Sequence, residues 1–180
     1  GINYDPDLTT LIDDDNFVLY DGIAIEFDFT PTDEIVSFEY VFASEEYCEY
    51  VDSDFNDVFG FFISGPGING PFSDDAENIA IVPGTSDYIS INSINHLSNS
   101  FYYQNNIPVE QHNSMPLTCD NYPMTDGVAI DNMEYDGFTN VMTAMANVIP
   151  CETYHIKLII ADLDDGYYDS AVFLKANSFS

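Results

Sequence analysis

Residues 35–64 read IVSFEYVFASEEYCEYVDSDFNDVFGFFIS, two apolar runs joined by an acidic segment. In the first run, residues 36–42, every second residue is large and apolar, a period that is typical of a half-buried β-strand. The second run, residues 58–63, is apolar almost throughout and indicates a strand that is covered on both faces. The joining segment has no apolar period, so it is predicted to be a loop between two strands.

The same signals recur along the rest of the chain. Further candidate strands are residues 23–29, 78–82, 88–91, 137–146, 154–161 and 171–179. Clusters of Gly, Pro, Asn and Asp separate them, as expected of turns. No long helical stripe is present, residues 45–50 form at most one helical turn, and the polar residues 92–126 are predicted to be a long loop. The predicted fold class is all-β: a single antiparallel β-sandwich of jelly-roll type over residues 1–180, with about eight strands and long loops carrying acidic clusters.

The composition supports one compact domain and restricts its partners. Of 180 residues, 46% are hydrophobic and 15% are aromatic, which is enough for one sizeable core. The chain has 32 acidic residues against two basic ones, Lys157 and Lys175, and its formal net charge is −30. Nucleic acid and anionic membrane surfaces are excluded as partners, because the chain has almost nothing to neutralise their phosphates. Cations, neutral or cationic ligands, and molecules bridged by a bound cation remain.

The first residues and the lengths of the apolar runs indicate how the protein would be exported and anchored. Residues 1–15 lack the basic and apolar regions of a signal peptide, and no stretch approaches the roughly 20 apolar residues of a membrane helix. We expect a monomeric domain, without membrane insertion, that is excised from a larger secreted protein whose export and anchoring are encoded elsewhere.

The three cysteines, Cys48, Cys119 and Cys151, contain no CxxC spacing, which argues against a zinc site or a redox motif. One disulfide with one free thiol and three unpaired cysteines are both compatible with this set. The sequence does not decide which pair would bond.

Acidic residues concentrate in two short segments that follow strongly apolar strands. The first segment contains Glu45, Glu46, Asp52, Asp54, Asn56 and Asp57, and the second contains Asp162, Asp165 and Asp169. Carboxylates packed this closely repel one another by about 1 kcal/mol per pair at roughly 4 Å even in water. A hard cation among them would remove that repulsion, and Ca²⁺ takes oxygen ligands from carboxylates, carbonyls and amides. We therefore predict that these residues are calcium ligands.

The spacing of the first segment departs from the EF-hand calcium loop. Asp52, Asp54 and Asn56 match the opening of that loop. Asp57, however, stands where the loop requires Gly, and Ile63 stands where it requires Glu. A calcium site therefore requires the two acidic segments to meet in space, which follows if the strands before them run in the same direction. The alternative is that both segments are solvated turns of an acidic protein.

Catalytic motifs are missing from the sequence: it has no nucleophile elbow, HExxH, P-loop or Rossmann fingerprint. A glycosidase built from two of the many carboxylates stays open as an alternative, but we predict no enzymatic activity. Tyrosines in loops and a glycine-rich turn suit ligand recognition, because rings stack, hydroxyls hydrogen-bond and Gly lets a ligand approach the backbone. The predicted ligand-binding residues are Tyr47, Ser64, Gly65, Gly67, Asn69 and Tyr167.

A resemblance to a known family is carried by five stretches. They are YVFASEEYCEYVDSDFNDVFGFFISGPGING at residues 40–70, NIAIVPGT at residues 78–85, SINSIN at residues 90–95, YDGFTNVMTA at residues 135–144 and PCETYHIKLIIADLDDGYYDSAVFLKANSF at residues 150–179. The sequence closely resembles the choice-of-anchor L domain family, found in large bacterial secreted surface proteins. It is more loosely similar to the peptide-binding domains of calcium-dependent RTX adhesins. That similarity implies a bound calcium that helps to hold the terminal carboxylate of a partner's peptide, since a cation inverts the local field.

These observations predict a calcium-dependent ligand-binding domain of a bacterial surface adhesin, located outside the cell. The expected cofactor is Ca²⁺, and the expected partner is a peptide or protein terminus on another cell surface. A carbohydrate-binding module with a glycan partner is the first alternative. A spacer that calcium merely stiffens and the carboxylate glycosidase are the others.

Overall fold

The structure is a computed structural model that describes residues 1–13, 17–107 and 133–179. It consists of two antiparallel sheets packed face to face, which confirms the predicted all-β sandwich. The described elements, in chain order, are α1 (Pro6–Ile12), β1 (Leu19–Phe29), β2 (Ile35–Ser44), β3 (Val58–Ser64), β4 (Glu77–Asn78), β5 (Ile89–Ser90), β6 (Tyr103–Asn105), β7 (Gly137–Thr139), β8 (Met142–Asn147), β9 (Tyr154–Leu163) and β10 (Ser170–Leu174). Two short 3₁₀ turns, Ser73–Asp75 and Ser100–Tyr102, lie between strands.

The order of the strands explains why two of them are so apolar. The first sheet has the order β1-β9-β3-β4, with β5 also paired to β3, and the second has the order β10-β2-β7-β6, with β8 also paired to β2. β9 and β3 are interior strands, and every residue of β3 is buried. A strand covered on both faces needs no polar alternation, as its continuous apolar run indicated. β1 and β10 each form one edge of their sheet.

The core lies between the inner faces of the two sheets and is rich in aromatic rings. Phe38 of β2 packs on Phe61 of β3 with ring centroids 4.8 Å apart, and Tyr40 packs on Phe59 at 5.3 Å. These pairs tie the two sheets together at the centre of the sandwich, where edge-to-face contacts add to the gain from burying apolar area.

Several predicted elements differ in length from the observed ones. The predicted strand 137–146 is divided into β7 and β8, and the predicted strand 78–82 contributes only Asn78 to β4. The Asn78 Oδ1 atom accepts hydrogen bonds from the N–H groups of Phe61 and Ala80, so a side chain replaces the regular ladder there. The predicted strand 171–179 corresponds to β10, which begins one residue earlier and ends at Leu174.

The cysteines and the predicted long loop are partly described. Cys48 is disulfide-bonded and buried, and Cys151 is a free, exposed thiol, so the alternative of three unpaired cysteines is wrong. Cys119 lies outside the described residues, as does most of the predicted loop 92–126. The described part of that loop, residues 92–107, contains turns, a 3₁₀ turn and β6.

The short helix α1, which the apolar pattern did not predict, docks on the outer face of the first sheet through Lys157. The Asp5 side chain caps α1 by accepting hydrogen bonds from the N–H groups of Asp7 and Leu8. Lys157 Nζ lies 2.5 Å from Asp5 Oδ2 and 2.7 Å from Asp7 Oδ2. Burial alone would raise the pKa of Asp7, but the hydrogen bonds from Lys157 and Ser73 outweigh burial and lower it.

Replacing Lys157 by Met should lower the free energy of unfolding by about 3–5 kcal/mol, because two buried carboxylates lose their counter-ion. The matched control is Lys175→Met, since Lys175 also pairs with a carboxylate, that of Glu39. The Lys175 side chain is 59% exposed against 12% for Lys157, so its loss should cost less than about 1 kcal/mol. Urea unfolding of both variants measures the difference, and equal losses would contradict this account of α1.

Candidate functional site

Two loops, residues 45–57 between β2 and β3 and residues 164–169 between β9 and β10, meet at one end of the sandwich. Ser44 at the end of β2 pairs with Ser170 at the start of β10, and Val58 at the start of β3 pairs with Ala161 near the end of β9. The Glu45 N–H donates to the Asp169 carbonyl at 3.1 Å. Both acidic segments therefore emerge side by side.

Asp57 joins the two loops from a buried position just before β3. Its Oδ2 accepts a hydrogen bond from the Ser170 hydroxyl at 2.6 Å, and its Oδ1 accepts one from the Leu163 N–H at 3.3 Å. The Asp57 and Asp162 carboxyl groups are also hydrogen-bonded to each other. Two carboxylates repel at this range, so the pair must share a proton or a cation.

Glu46 is the most unusual residue of the cluster. Its side chain is only 1% exposed, and its Oε2 atom has no hydrogen-bond partner. The Oε2 atom of Glu49, one helical turn later, is likewise buried without a partner. A buried carboxylate oxygen without a donor is costly, because burial removes its water and nothing replaces it.

Burial and like charge together raise the pKa values of this cluster. Burial raises the pKa of Glu46 to about 9. Further carboxylates act in the same direction, and they belong to Asp57, Asp165, Asp162 and Glu49. Burial likewise raises the pKa values of Asp57 and Asp162 well above their usual range. The site therefore attracts positive charge, as a proton or as a cation.

Two members of this end of the molecule are missed by sequence analysis. Asp21 lies at a bulge in β1 with φ of 44°, and its charge contributes to the raised pKa of Asp162. Asp136 precedes β7, and burial, followed by the charges of Glu49 and Glu45, raises its pKa to about 7. Each is separated by many residues from the acidic segments, so only the pairing of β1 with β9 and of β7 with β2 brings them near.

The EF-hand-like part of the first segment faces a different direction from the buried carboxylates. Asp52 and Asp54 are exposed, and the Asp52 N–H donates to Asn92 Oδ1. Asn56 Oδ1 accepts from the Asn92 N–H at 2.9 Å, while its amide nitrogen lies 3.5 Å from the Tyr88 hydroxyl. Asn56 thus links the 45–57 loop to Tyr88 and Asn92.

The predicted ligand rim is mostly separated from the acidic cluster. Ser64 ends β3 at its far end, and Gly65, Gly67 and Asn69 follow it. The seven residues of this strand span about 20 Å. Tyr47 is fully buried and its hydroxyl donates to the Ile94 carbonyl, which makes it a core residue and corrects its assignment to a rim. Tyr167 is exposed in the 164–169 loop, beside the carboxylates.

The donors of the cluster are suited to a hard cation, although they are not closed into a cage. Within residues 1–13, 17–107 and 133–179, no group of three or more His, Cys, Asp or Glu side chains already has the arrangement of a metal site. The available donors are carboxylate oxygens with buried, unpartnered atoms among them, and these are the ligands that Ca²⁺ prefers. Cation binding would therefore have to draw the carboxylates closer together.

Comparison with known proteins gives a family for the whole chain. The model of the family described as choice-of-anchor L domain matches residues 1–180. No curated protein and no solved structure matches the chain. In the described part of the chain, no helix is long and apolar enough to cross a membrane.

The raised pKa values predict that the protein in a chelator loses stability as pH rises. The folded state holds protons that the unfolded state releases between the ordinary glutamate value of 4.5 and about 9. Stability should therefore fall across that window by as much as about 1.4 kcal/mol per pH unit for each such carboxyl. Thermal unfolding at pH 5.5 and 8.5 measures this change.

Glu46→Gln should flatten that pH dependence and raise the melting temperature at pH 8.5, since the amide imitates the protonated acid. The control Glu152→Gln removes an exposed carboxylate and should leave the pH dependence unchanged. A wild-type melting temperature that rises between pH 5.5 and 8.5 would refute the electrostatic description of the cluster.

Proposed function

This chain belongs to the choice-of-anchor L domain family, and on that premise we propose that it is a non-enzymatic, calcium-dependent ligand-binding domain of a bacterial surface adhesin. Membership of the family makes it a bacterial surface-associated domain. Beyond family membership, we propose that the domain binds Ca²⁺, that it binds a ligand, and that this ligand is a peptide or protein terminus.

One observation carries the proposal: the Glu46 carboxylate is buried without a partner among other carboxylates. Among the residues that the structure describes, no basic side chain forms an ion pair with this group. Lys157 is paired with Asp5 and Asp7, and Lys175 is paired with Glu39. A divalent cation would neutralise the cluster and supply the positive partner that the sequence lacks.

The proposed ligands divide into an inner and an outer set. Glu46, Asp57 and Asp162 form the inner set, because they are buried and electrostatically coupled. Glu45, Asp165 and Asp169 form an outer set in the surrounding loops. Asp52 and Asp54 are exposed and do not belong to either set, because the hydrogen bonds that join Asp52 and Asn56 to Asn92 hold this part of the loop away from the buried carboxylates. They would bind a second ion, if they bind any.

The proposed ligand is a peptide or protein terminus on a partner cell. A calcium bound where the 45–57 and 164–169 loops meet, the mouth of the site, would have coordination positions that the protein does not fill. A terminal carboxylate is a suitable oxygen donor for these positions. Tyr50 and Tyr168 lie beside this mouth with ring centroids 5.5 Å apart, and Tyr167 is exposed next to them. Such tyrosines would supply apolar contact and a hydroxyl at the rim.

A carbohydrate-binding module is a second candidate, supported by a polar cleft on the neighbouring side of Asn56. The cleft has a volume of about 460 Å³. It is lined by Asn56, Ser86, Asp87, Tyr88, Ser90, Asn92, Ser93, Ser98 and Asn99. Amides, hydroxyls and one aromatic ring are suitable contacts for a sugar.

Calcium should raise the melting temperature of the wild-type chain, because it would bind the folded state alone. At a hundredfold excess over Kd the expected stabilisation is about 2.7 kcal/mol. Glu46→Gln should be more stable than wild type in chelator at neutral pH and yet respond little to calcium, while Glu152→Gln should respond as wild type does. Differential scanning calorimetry with chelator and with millimolar calcium measures both effects, and an unchanged wild-type melting temperature would remove calcium from the proposal.

An array that carries glycans and peptides, each peptide with a free and an amidated C-terminus, tests the ligand. The proposal predicts calcium-dependent binding of peptides with a free terminus. Binding of glycans alone would favour the carbohydrate module, and calcium stabilisation without any array ligand would favour a spacer. Turnover of a chromogenic glycoside by the wild-type chain would contradict the non-enzymatic assignment.

A further inference from the structure

The sandwich is open along one side, between the edge strands β1 and β10. Ile23 and Ile25 of β1 pair with Ile160 and Leu158 of β9, and they lie on the same face of the sheet as the core residues of that strand. In spite of this inward orientation, Ile23 is 65% exposed and Ile25 is 56% exposed. Inward-facing isoleucines that remain in water indicate a part of the interior that residues 1–13, 17–107 and 133–179 do not fill.

A groove with a volume of about 290 Å³ runs along this opening. Phe59, Leu158 and Ile160 form its floor, while Val172 and Leu174 of β10 face Ile23 and Ile25 across it. Beyond Ile25 along β1, Phe27 and Phe29 pack against Phe179. One end of the groove begins at Ser170, whose hydroxyl contacts Asp57 of the acidic cluster.

The outer edge of β1 is available for strand pairing. β1 is paired along its length with β9, and on its other side Gly22 exchanges backbone hydrogen bonds with Ile2. Beyond Gly22, no other strand among the described residues pairs with this edge. An exposed edge beside an apolar groove is a template for an added strand, which gains main-chain hydrogen bonds and side-chain burial together.

Charge restricts what such a strand can be. Glu26 and Asp28 occupy the outer face of β1, where their side chains contact His155 and remain largely in water. A strand added to β1 would place its own outward residues opposite these carboxylates, where basic side chains are favoured and acidic ones are repelled. A second copy of this chain is disfavoured, because its β1 carries the same acids and each copy has a net charge of −30.

We propose that the groove between β1 and β10 is a docking surface for an extended segment of a partner polypeptide that alternates apolar with basic residues. The segment pairs with the outer edge of β1, inserts its apolar side chains between Ile25 and Val172, and sets its basic side chains opposite Glu26 and Asp28. This surface lies beyond the proposed calcium site and requires no cation there.

Fluorescence anisotropy of labelled peptides tests this docking surface on the whole chain, in chelator and again in calcium. The peptides are KVKIKVKIK, the block-ordered KKKKKVIVI of identical composition, and the acidic EVEIEVEIE. At about 0.5 M salt, which screens non-specific attraction, the alternating basic peptide should bind at least about tenfold more tightly than the other two. Slower hydrogen exchange at the Ala24 and Glu26 amides should accompany its binding.

Ile25→Asp should abolish the preference for the alternating peptide, since it places a charge in the groove. Met145→Asp is the matched control, because Met145 of β8 is similarly exposed, lies outside the groove and receives the same added charge. Equal binding of the alternating and block peptides, or equal effects of the two substitutions, would overturn the proposal. So would a dimer in sedimentation that Ile25→Asp dissociates, because the groove would then hold a second copy. Binding that persists in chelator separates this result from any failure of the calcium proposal.

Discussion

The constraint on which this protein depends is a shortage of positive charge at a place where its fold buries negative charge. The ends of β2 and β9 and the starts of β3 and β10 bring Glu46, Asp57 and Asp162 together in the interior. The only two basic side chains of the chain are engaged elsewhere, with Asp5 and Asp7 and with Glu39. Because no basic side chain in the described part of the chain pairs with these carboxylates, their neutralisation requires protons or a bound cation.

The same sandwich determines how that end of the molecule can act. The interior strands β3 and β9 are apolar and largely buried, so they fix the positions at which both acidic loops leave the sandwich. Under the proposed function, protons and a cation would compete for the same oxygens, and binding of one would release the other. If the proposed function holds, the domain would couple the ionic conditions around it to the order of its loops and to the binding of the proposed partner.

The sequence predicts the strands well because their cause is local. Alternation in β2 and the continuous apolar run of β3 follow from which faces are buried, while the alternating isoleucines of β1 face the sandwich but stay largely exposed. Helix α1 escapes detection since its seven residues are too few to show a period and it is fixed by Asp5 and Lys157, far apart in the chain. Pairing of distant strands also decides that Asp21 and Asp136 join the acidic end and that Ser64–Gly70 lies away from it, and no local pattern contains that information.

An anomalous-scattering map from crystals grown with calcium tests the central claim most directly. The account predicts an ion among the carboxylates of Glu46, Asp57 and Asp162, with oxygen ligands at about 2.3–2.6 Å. A map that shows these side chains without an ion at saturating calcium, or an ion bound only by the exposed Asp52 and Asp54, would contradict it.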